Sequence, residues 1–225
     1  MKVEAWRQWM RGKTVLSSDA EAQLNDALLV AFDSRLLTPP LAASTLFIAI
    51  QGAWHDGHNF LEEAHRQGVR FFLVAEGAKL PALPDSDVVA VPDVILAWQS
   101  LATDWRLSWG KTVIAITGSN GKTTVKEWLT SLLAPVVHVH SSPRSYNSQI
   151  GVPLSLWDLH DDHEVALIEA GISQPHEMER HARTIQPEFG VLTHLGSSHL
   201  DAFEHEEQLL DEKLKLFGTC DWVAM

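Results

Sequence analysis

The segment Val113-Ile-Ala-Ile-Thr-Gly-Ser-Asn-Gly-Lys-Thr-Thr-Val-Lys-Glu127 carries the residue types needed to hold a phosphate. Gly118 and Gly121 let backbone N–H groups come close to an anion. Lys122 supplies a positive point charge for β- and γ-phosphates, and the Thr123 hydroxyl can ligate Mg²⁺ at a helix N-terminus. Ser119, Asn120 and Thr124 belong to the same phosphate-binding set. One position departs from the general Gly-x-x-x-x-Gly-Lys-Ser/Thr pattern, because Ile116 stands where the first glycine belongs. The competing reading is a glycine-rich turn without a ligand. The ordered series of apolar strand, two glycines, Lys-Thr and helix favours a nucleoside triphosphate.

Three further residues have types that suit such a site. Glu169 closes the apolar run Glu164-Val-Ala-Leu-Ile-Glu169, where it is either an oxygen ligand for Mg²⁺ or an exposed strand-end carboxylate. His199 lies in Thr193-His-Leu-Gly-Ser-Ser-His-Leu-Asp-Ala-Phe203; a lone histidine is more often a surface residue than a ligand. Lys213, within Leu209-Leu-Asp-Glu-Lys-Leu-Lys-Leu-Phe217, reads on pattern alone as a solvated helix lysine. Residue types and spacing thus support a nucleotide site without specifying its reaction.

The elements that must position these residues alternate between strand and helix. Residues 1–30 read as an amphipathic helical lead-in with Trp6 and Trp9. Strands are expected over Thr45–Ile50, Val69–Ala75 and Val88–Val91. Helices are expected over Asn59–Gln67, closed by Gly68, and from a cap at Asp93 through Leu107. A second unit begins near Ser108. It has the phosphate-loop strand, a helix Lys122–Leu133 stopped by Pro135, and strands at Val136–His140, Glu164–Gly171 and Phe189–Thr193. Its remaining helices are expected at His176–Thr184 and Glu204–Phe217. The fold class is therefore α/β, a small N-terminal domain (1–107) followed by a mostly parallel, nucleotide-binding sheet domain (108–225). In such sheets ligands gather beyond the C-terminal strand ends, where the phosphate loop, Glu169 and Thr193–His199 all fall. Asp221-Trp-Val-Ala-Met225 reads as the start of another strand, so a truncated central domain is expected.

Composition narrows the function classes. A net charge of −12 argues against sequence-independent nucleic-acid binding and requires local cations for any anionic substrate. A single cysteine, Cys220, excludes an internal disulfide and fits a reducing, cytoplasmic setting. The apolar runs are too short to span a bilayer, and no secretory signal is visible at the N-terminus.

Taken together, the motifs resemble the Mur ligases, ATP-dependent amide-bond ligases of peptidoglycan precursor synthesis, and within them the MurF type. Thr117–Glu127, Ser145-Tyr-Asn-Ser-Gln-Ile-Gly-Val-Pro-Leu-Ser-Leu156, Ala166-Leu-Ile-Glu-Ala-Gly171 and the blocks Gly190–Phe203 and Glu212–Phe217 carry the resemblance. Upstream, Asp33-Ser-Arg35, Leu46–Gly52 and Asp56-Gly-His58 resemble the UDP-binding domain of the MurE and MurF types. The resemblance implies addition of D-alanyl-D-alanine to UDP-N-acetylmuramoyl-tripeptide through an acyl phosphate, with ATP and Mg²⁺. It implies phosphate binding by Lys122, and metal ligation by Thr123, Glu169, His199 and a carbamylated Lys213. It places Ser34, Arg35, Asp56, Gly57 and His58 at the uridine diphosphate, and Asn147 and Ser148 at the muramoyl-peptide. The Ser-Tyr-Asn-Ser-Gln and Glu-Ala-Gly-Ile-Ser-Gln-Pro details are similar to MurF halves fused to alanine racemase, so a racemase beyond residue 225 is a further expectation. The adenine contacts and the amine-binding domain of this family fall outside the chain, so it is not expected to ligate alone.

Rival readings are a MurE-type ligase acting on UDP-muramoyl-dipeptide, a folylpolyglutamate synthetase-like ligase and a non-catalytic nucleotide-binding module. Lys126-Glu127 and Ile150-Gly-Val-Pro153 favour MurF over MurE, and the Asp-Ser-Arg domain disfavours the second rival. Intact Lys122, Thr123, Glu169, His199 and Lys213 argue against the module.

Overall fold

The computed structural model describes residues 2–18, 28–38, 41–196, 203 and 205–225. The chain divides into two compact units, Met1–Leu101 and Ala102–Met225. The division falls inside one helix, Val94–Trp109, upstream of the expected start at Ser108.

Unit 1 opens with α1 (Lys2–Met10), whose Trp6 and Trp9 are buried and stacked at 5.7 Å. The expected lead-in helix stops there. Gly12 turns the chain at φ +82°, and Thr14-Val-Leu-Ser-Ser18 forms strand β1 instead, while residues 19–27 lie outside the described residues. There follow β2 (Leu29–Ala31), β3 (Thr45–Ile48), α2 (Leu61–Arg66), β4 (Phe71–Ala75), β5 (Asp87–Val91) and the first part of α3 (Val94–Trp109). The expected helix from Asn59 starts as a 3₁₀ turn, Gly57–Phe60, before α2 proper. Asp93 caps α3 as expected, accepting the Leu96 N–H at 2.9 Å. The sheet order is β1-β5-β4-β3-β2, parallel except for β1 against β5. The runs Leu46-Phe-Ile48 and Phe71-Phe-Leu-Val74 are apolar at every position because both sheet faces are covered. Phe47, Phe72 and Val74 pack against Leu61 and Ala64 of α2.

Unit 2 contains β6 (Thr112–Thr117), α4 (Lys122–Leu133), β7 (Val139–Ser141), α5 (Gly151–Trp157) and β8 (Val165–Glu169). It continues with α6 (Glu177–Ile185), β9 (Phe189–Leu192), α7 (Glu206–Leu214), a 3₁₀ turn Lys215–Phe217 and β10 (Trp222–Ala224). All five strands are parallel, in the order β10-β9-β6-β8-β7. β6 is central, with β8 on one side and β9 on the other, so the connections change side there. That is the switch point at which an open α/β sheet forms its crevice.

Two expectations need correction here. β7 starts at Val139 rather than Val136, because the N–H groups of Val136 and Val137 both turn back to the Leu133 carbonyl and close α4. The helix expected from Glu204 through Phe217 begins at Glu206 and tightens into its 3₁₀ turn at Lys215. In unit 2 the helix α5 is absent from the sequence reading, as β1 and β2 are in unit 1; Gly151 and Pro153 sit in the first turn of α5, where proline removes no helical hydrogen bond.

Candidate active site and a second cavity

The phosphate loop spans the gap between β6 and α4. Gly118 adopts φ +152°, and a Cβ there would sit 1.9 Å from Thr193 Oγ1, so only glycine fits. The expected glycine at position 116 is unnecessary: Ile116 is fully buried in β6, and the chain turns two residues later. Gly121, at φ +82°, starts α4 without any side-chain cap, leaving the first helical N–H groups for an anion.

The loop is stapled to the segment after β9. Ser119 and Asn120 donate backbone N–H groups to the His194 carbonyl (2.9 and 3.4 Å), and Ser119 Oγ donates to Gly196 O at 2.8 Å. Thr193 Oγ1 reaches Asn120 O at 2.6 Å.

At the end of β8, Glu169 is 1% exposed, which removes the exposed-carboxylate alternative. Thr123 Oγ1 donates to its Oε2 at 2.9 Å, and Asn147 Nδ2 donates to its Oε1 at 2.7 Å. Its backbone N–H donates to Ser142 Oγ at 3.1 Å. Lys126, buried in α4, lies 3.9 Å from Oε2 while donating to the Ser142 and Arg144 carbonyls, both at 2.6 Å. The hydroxyl of Thr123 and an anionic oxygen of Glu169 thus converge, the oxygen pair that a Mg²⁺–nucleotide requires from protein. Mg²⁺ typically takes its remaining ligands from phosphates and water. Among the described residues no cluster of three or more His, Cys, Asp or Glu could hold a metal by itself.

Two amines meet at one oxygen. Lys122 Nζ donates to Gly118 O at 2.9 Å and Lys213 Nζ donates to the same atom at 3.2 Å. Lys213 is 1% exposed, not solvated. Burial, and secondarily the charge of Lys122, pulls its pKa down to about 8. Burial also lowers the pKa of Lys122, opposed by Glu169. Beside these amines lies a cavity of ≈ 230 Å³, walled by Lys122, Lys213, Asn147, Ser148, Gln149 and Glu177 among others. Thr124 is exposed on the first turn of α4, and His199 lies outside the described residues.

The sequence reading missed Lys126, Ser142, Gln149 and Glu177, and it placed Thr193 at the strand ends without giving it a role. Glu177 Oε2 accepts from Ser173 N (2.6 Å), Ser173 Oγ (3.2 Å) and Gln174 N (2.9 Å), fixing one wall of the cavity. Its neighbour His181 is fully buried, and burial lowers its pKa to about 4. The period of α6 that buries Met178, His181, Thr184 and Ile185 speaks of packing rather than chemistry, and it does not mark Glu177.

Unit 1 holds a separate cavity of ≈ 320 Å³, lined by Phe32, Asp33, Arg35, Ile50, His55, Gly57 and Phe60. Asp33 accepts from the Arg35 N–H at 2.9 Å and from its guanidinium at 2.6–3.1 Å. These bonds hold its pKa at about 2. Gly57 has to be glycine, since a Cβ would come within 2.8 Å of Ile50 N. Of the five residues expected at a uridine diphosphate, Arg35 and Gly57 line this cavity. Ser34 is buried beside it, and Asp56 and His58 form a support. His58 Nδ1 lies 2.6 Å from Asp56 Oδ1, and its Nε2 accepts the Ala75 N–H at 2.9 Å. Both ring nitrogens are therefore engaged inside the unit, and the side chain orients the turn.

Comparison with known proteins agrees with this geometry. The Mur ligase middle domain matches residues 116–221. The chain is 34% identical over 190 residues to the UDP-N-acetylmuramoyl-tripeptide–D-alanyl-D-alanine ligase of Bacillus subtilis, covering 84% of this chain and 40% of that protein. It is 32% identical over 174 residues to the ligase of the same name from Escherichia coli (77% and 37%). Among solved structures, MurF from Acinetobacter baumannii superposes with a TM-score of 0.84 at 24% identity, covering 96% of this chain and 46% of that one. The MurF ligase of Thermotoga maritima in complex with ADP gives 0.77 at 26% identity (88% and 45%). The chain spans about two fifths of the length of the curated relatives it matches. With the phosphate loop, the buried glutamate and the paired lysines in place, residues 116–221 belong to the Mur ligase middle domain family, and the chain as a whole is similar to ligases of the MurF type.

Proposed function

We propose that this chain supplies the nucleotide-handling part of an ATP-dependent amide-bond ligase that adds D-alanyl-D-alanine to UDP-N-acetylmuramoyl-tripeptide in the cytoplasm. The observation that carries the reading is the convergence of Thr123 and Glu169 at 2.9 Å beside two lysines that share the Gly118 carbonyl. In this reading ATP is the phosphate donor, and Mg²⁺, when bound, supplies charge neutralisation at the transferring phosphate.

The chain's own residues have separable tasks. Backbone N–H groups of the loop Gly118–Gly121 and of the first turn of α4 orient the phosphates, and Lys122 leaves the Gly118 carbonyl to neutralise them. Thr123, through its hydroxyl, and Glu169, through its Oε2, would hold the Mg²⁺. Asn147 holds the second oxygen of Glu169 and, with Ser148, faces the substrate in the ≈ 230 Å³ cavity. The amine of Lys213 is buried and its pKa lowered, so a larger fraction is neutral and nucleophilic toward CO₂ than for a surface lysine. Carbamylation there replaces a cation with an anionic metal ligand. Residues 1–107 hold the uridine diphosphate end, at the cavity of Arg35 and Gly57.

The test is mass-spectrometric detection of ligation by the product of the reading frame that contains this chain, with ATP and Mg²⁺. It is offered UDP-muramoyl-tripeptide with D-Ala-D-Ala, and separately UDP-muramoyl-dipeptide with a diamino acid. Product from the first pair alone is expected. Product from the second alone assigns the MurE reaction, and ATP binding without either product assigns a non-catalytic role.

A further inference from the structure

Glu169 and Lys126 bring opposite charges together inside unit 2, with side chains 1% and 3% exposed. A carboxylate so deeply buried needs donors and a cation near it. Its donors are Asn147 Nδ2, at 2.7 Å from Oε1, and the Thr123 hydroxyl, at 2.9 Å from Oε2. Lys126 Nζ stands 3.9 Å from the same Oε2, too far for a hydrogen bond. Thr123 and Lys126 are three positions apart in α4, so one face of that helix addresses one oxygen.

The position of the amine is set from elsewhere. Lys126 Nζ donates to the carbonyls of Ser142 and Arg144, both at 2.6 Å, in the segment that leaves β7. Arg144 adopts φ +51° there, a conformation few residues other than glycine hold. Ser142 is itself tied to β8, since its Oγ accepts the Glu169 N–H at 3.1 Å and its own N–H donates to Leu167 O at 2.9 Å. Two carbonyls thus park the ammonium where its charge reaches Oε2 without occupying that oxygen.

Resting on the reading of Thr123 and Glu169 as the Mg²⁺ pair, we propose that Lys126 is a positioning residue that acts through Glu169. It supplies the counter-charge of the buried carboxylate in the metal-free site, and it opposes a divalent cation that arrives at Oε2 alone. Mg²⁺ then enters effectively only together with nucleotide phosphates, whose negative charge outweighs the ammonium. A plain structural clamp predicts the opposite sign: loss of the amine would free the 142–144 segment, loosen Asn147 on Oε1 and weaken any cation at the site.

The probe is Mg²⁺ without nucleotide, read from the thermal unfolding midpoint of this chain over a Mg²⁺ titration, with a parallel series containing ADP. In the parent, Mg²⁺ alone is expected to move the midpoint little, and Mg²⁺ with ADP to raise it. Lys126→Met is expected to unfold at a lower temperature without metal and to bind Mg²⁺ alone more tightly by on the order of 10-fold, the scale on which outer-shell partners tune metal sites. Lys126→Arg keeps the charge and is expected to respond to Mg²⁺ as the parent does. Adding Glu169→Gln to Lys126→Met is expected to abolish the gained response. If Lys126→Met is unfolded without metal, refolding on addition of Mg²⁺ or of Glu169→Gln supports the proposal, and failure of both overturns it. Unchanged or weaker Mg²⁺ binding by Lys126→Met overturns it, as does a gain that survives Glu169→Gln or that Lys126→Arg shares. A parent that shows no response to ADP at any Mg²⁺ concentration overturns the nucleotide reading instead, and the series with Mg²⁺ alone still decides the role of Lys126.

Discussion

Lys122 and Lys213, ninety-one positions apart in the chain (213 − 122), place their amines 2.9 and 3.2 Å from the same carbonyl oxygen, that of Gly118. Two ammonium groups on one acceptor repel each other, and the buried member carries most of the strain. The pKa of Lys213 falls from its ordinary value of 10.5 to about 8, so the unfolded chain binds more protons than the folded one between those values. Folding stability therefore rises as pH increases from about 8 toward 10.5, and the burial penalty is fully present below 8. Lys213→Met should raise stability at pH 7 by roughly 1 kcal/mol, the relieved burial penalty less the lost hydrogen bond to Gly118 O, with the gain shrinking above pH 9. Thermal melts of both proteins across pH 7 to 10 check this; a gain that does not change with pH contradicts it.

Gly118→Ala should be among the most damaging single changes in unit 2. The added methyl would lie 1.9 Å from Thr193 Oγ1, on a backbone at φ +152° that alanine avoids. A loss of about 2–4 kcal/mol is expected from the clash and the backbone strain together. Urea unfolding measures it, and a variant within 1 kcal/mol of the parent would mean that Thr193 yields more readily than the packing implies.

Glu169→Gln keeps the shape of the side chain and an oxygen for one of its two donors, Thr123 or Asn147, but removes the charge. Binding of ADP without Mg²⁺ should change little. The increment in affinity that Mg²⁺ adds should fall by about 10-fold or more. Calorimetric titrations with and without the metal separate these two quantities.

Glu177→Ala removes the single acceptor for the amides of Ser173 and Gln174, at 2.6 and 2.9 Å. Hydrogen exchange at those two amides should quicken by on the order of 10-fold, the loss of about 1–2 kcal/mol of local protection. Amides in β6 should be unaffected, and a global rise in exchange would show that Glu177 stabilises the unit rather than its loop.

Some of this arrangement is local and so was legible in the chain. The apolar run into Gly118, the αL glycine at 121 and the lysine after it depend on residues within one turn of each other. The need for Gly118 itself was not legible in full, because the atom that excludes a Cβ belongs to Thr193, on another strand end. Lys213 reads as a surface lysine by helical period, and only the docking of α7 beside the phosphate loop buries it. α5 escaped because glycine and proline were judged by type, although a first helical turn accepts both. β1 escaped because the tryptophans of α1 dominate the first thirty residues. At the second cavity His58 looked like the ligand from its motif, yet hydrogen bonds on both ring nitrogens commit it inward and leave His55 at the wall.

The staples between the phosphate loop and His194 carry a consequence for the order in which unit 2 assembles. Ser119 and Asn120 find their acceptor more than seventy residues later, so the closure is a non-local event of high contact order. The strand, loop and helix from Thr112 to Leu133 can form early as separate local pieces. Their loop keeps two backbone donors unanswered until β9 has docked beside β6. A nascent chain that has emerged only as far as β8 would therefore hold every residue of the phosphate-loop motif and still lack its shape. Nucleotide affinity should accordingly arise late in folding, as a sign that the parallel sheet has closed on both sides of its central strand.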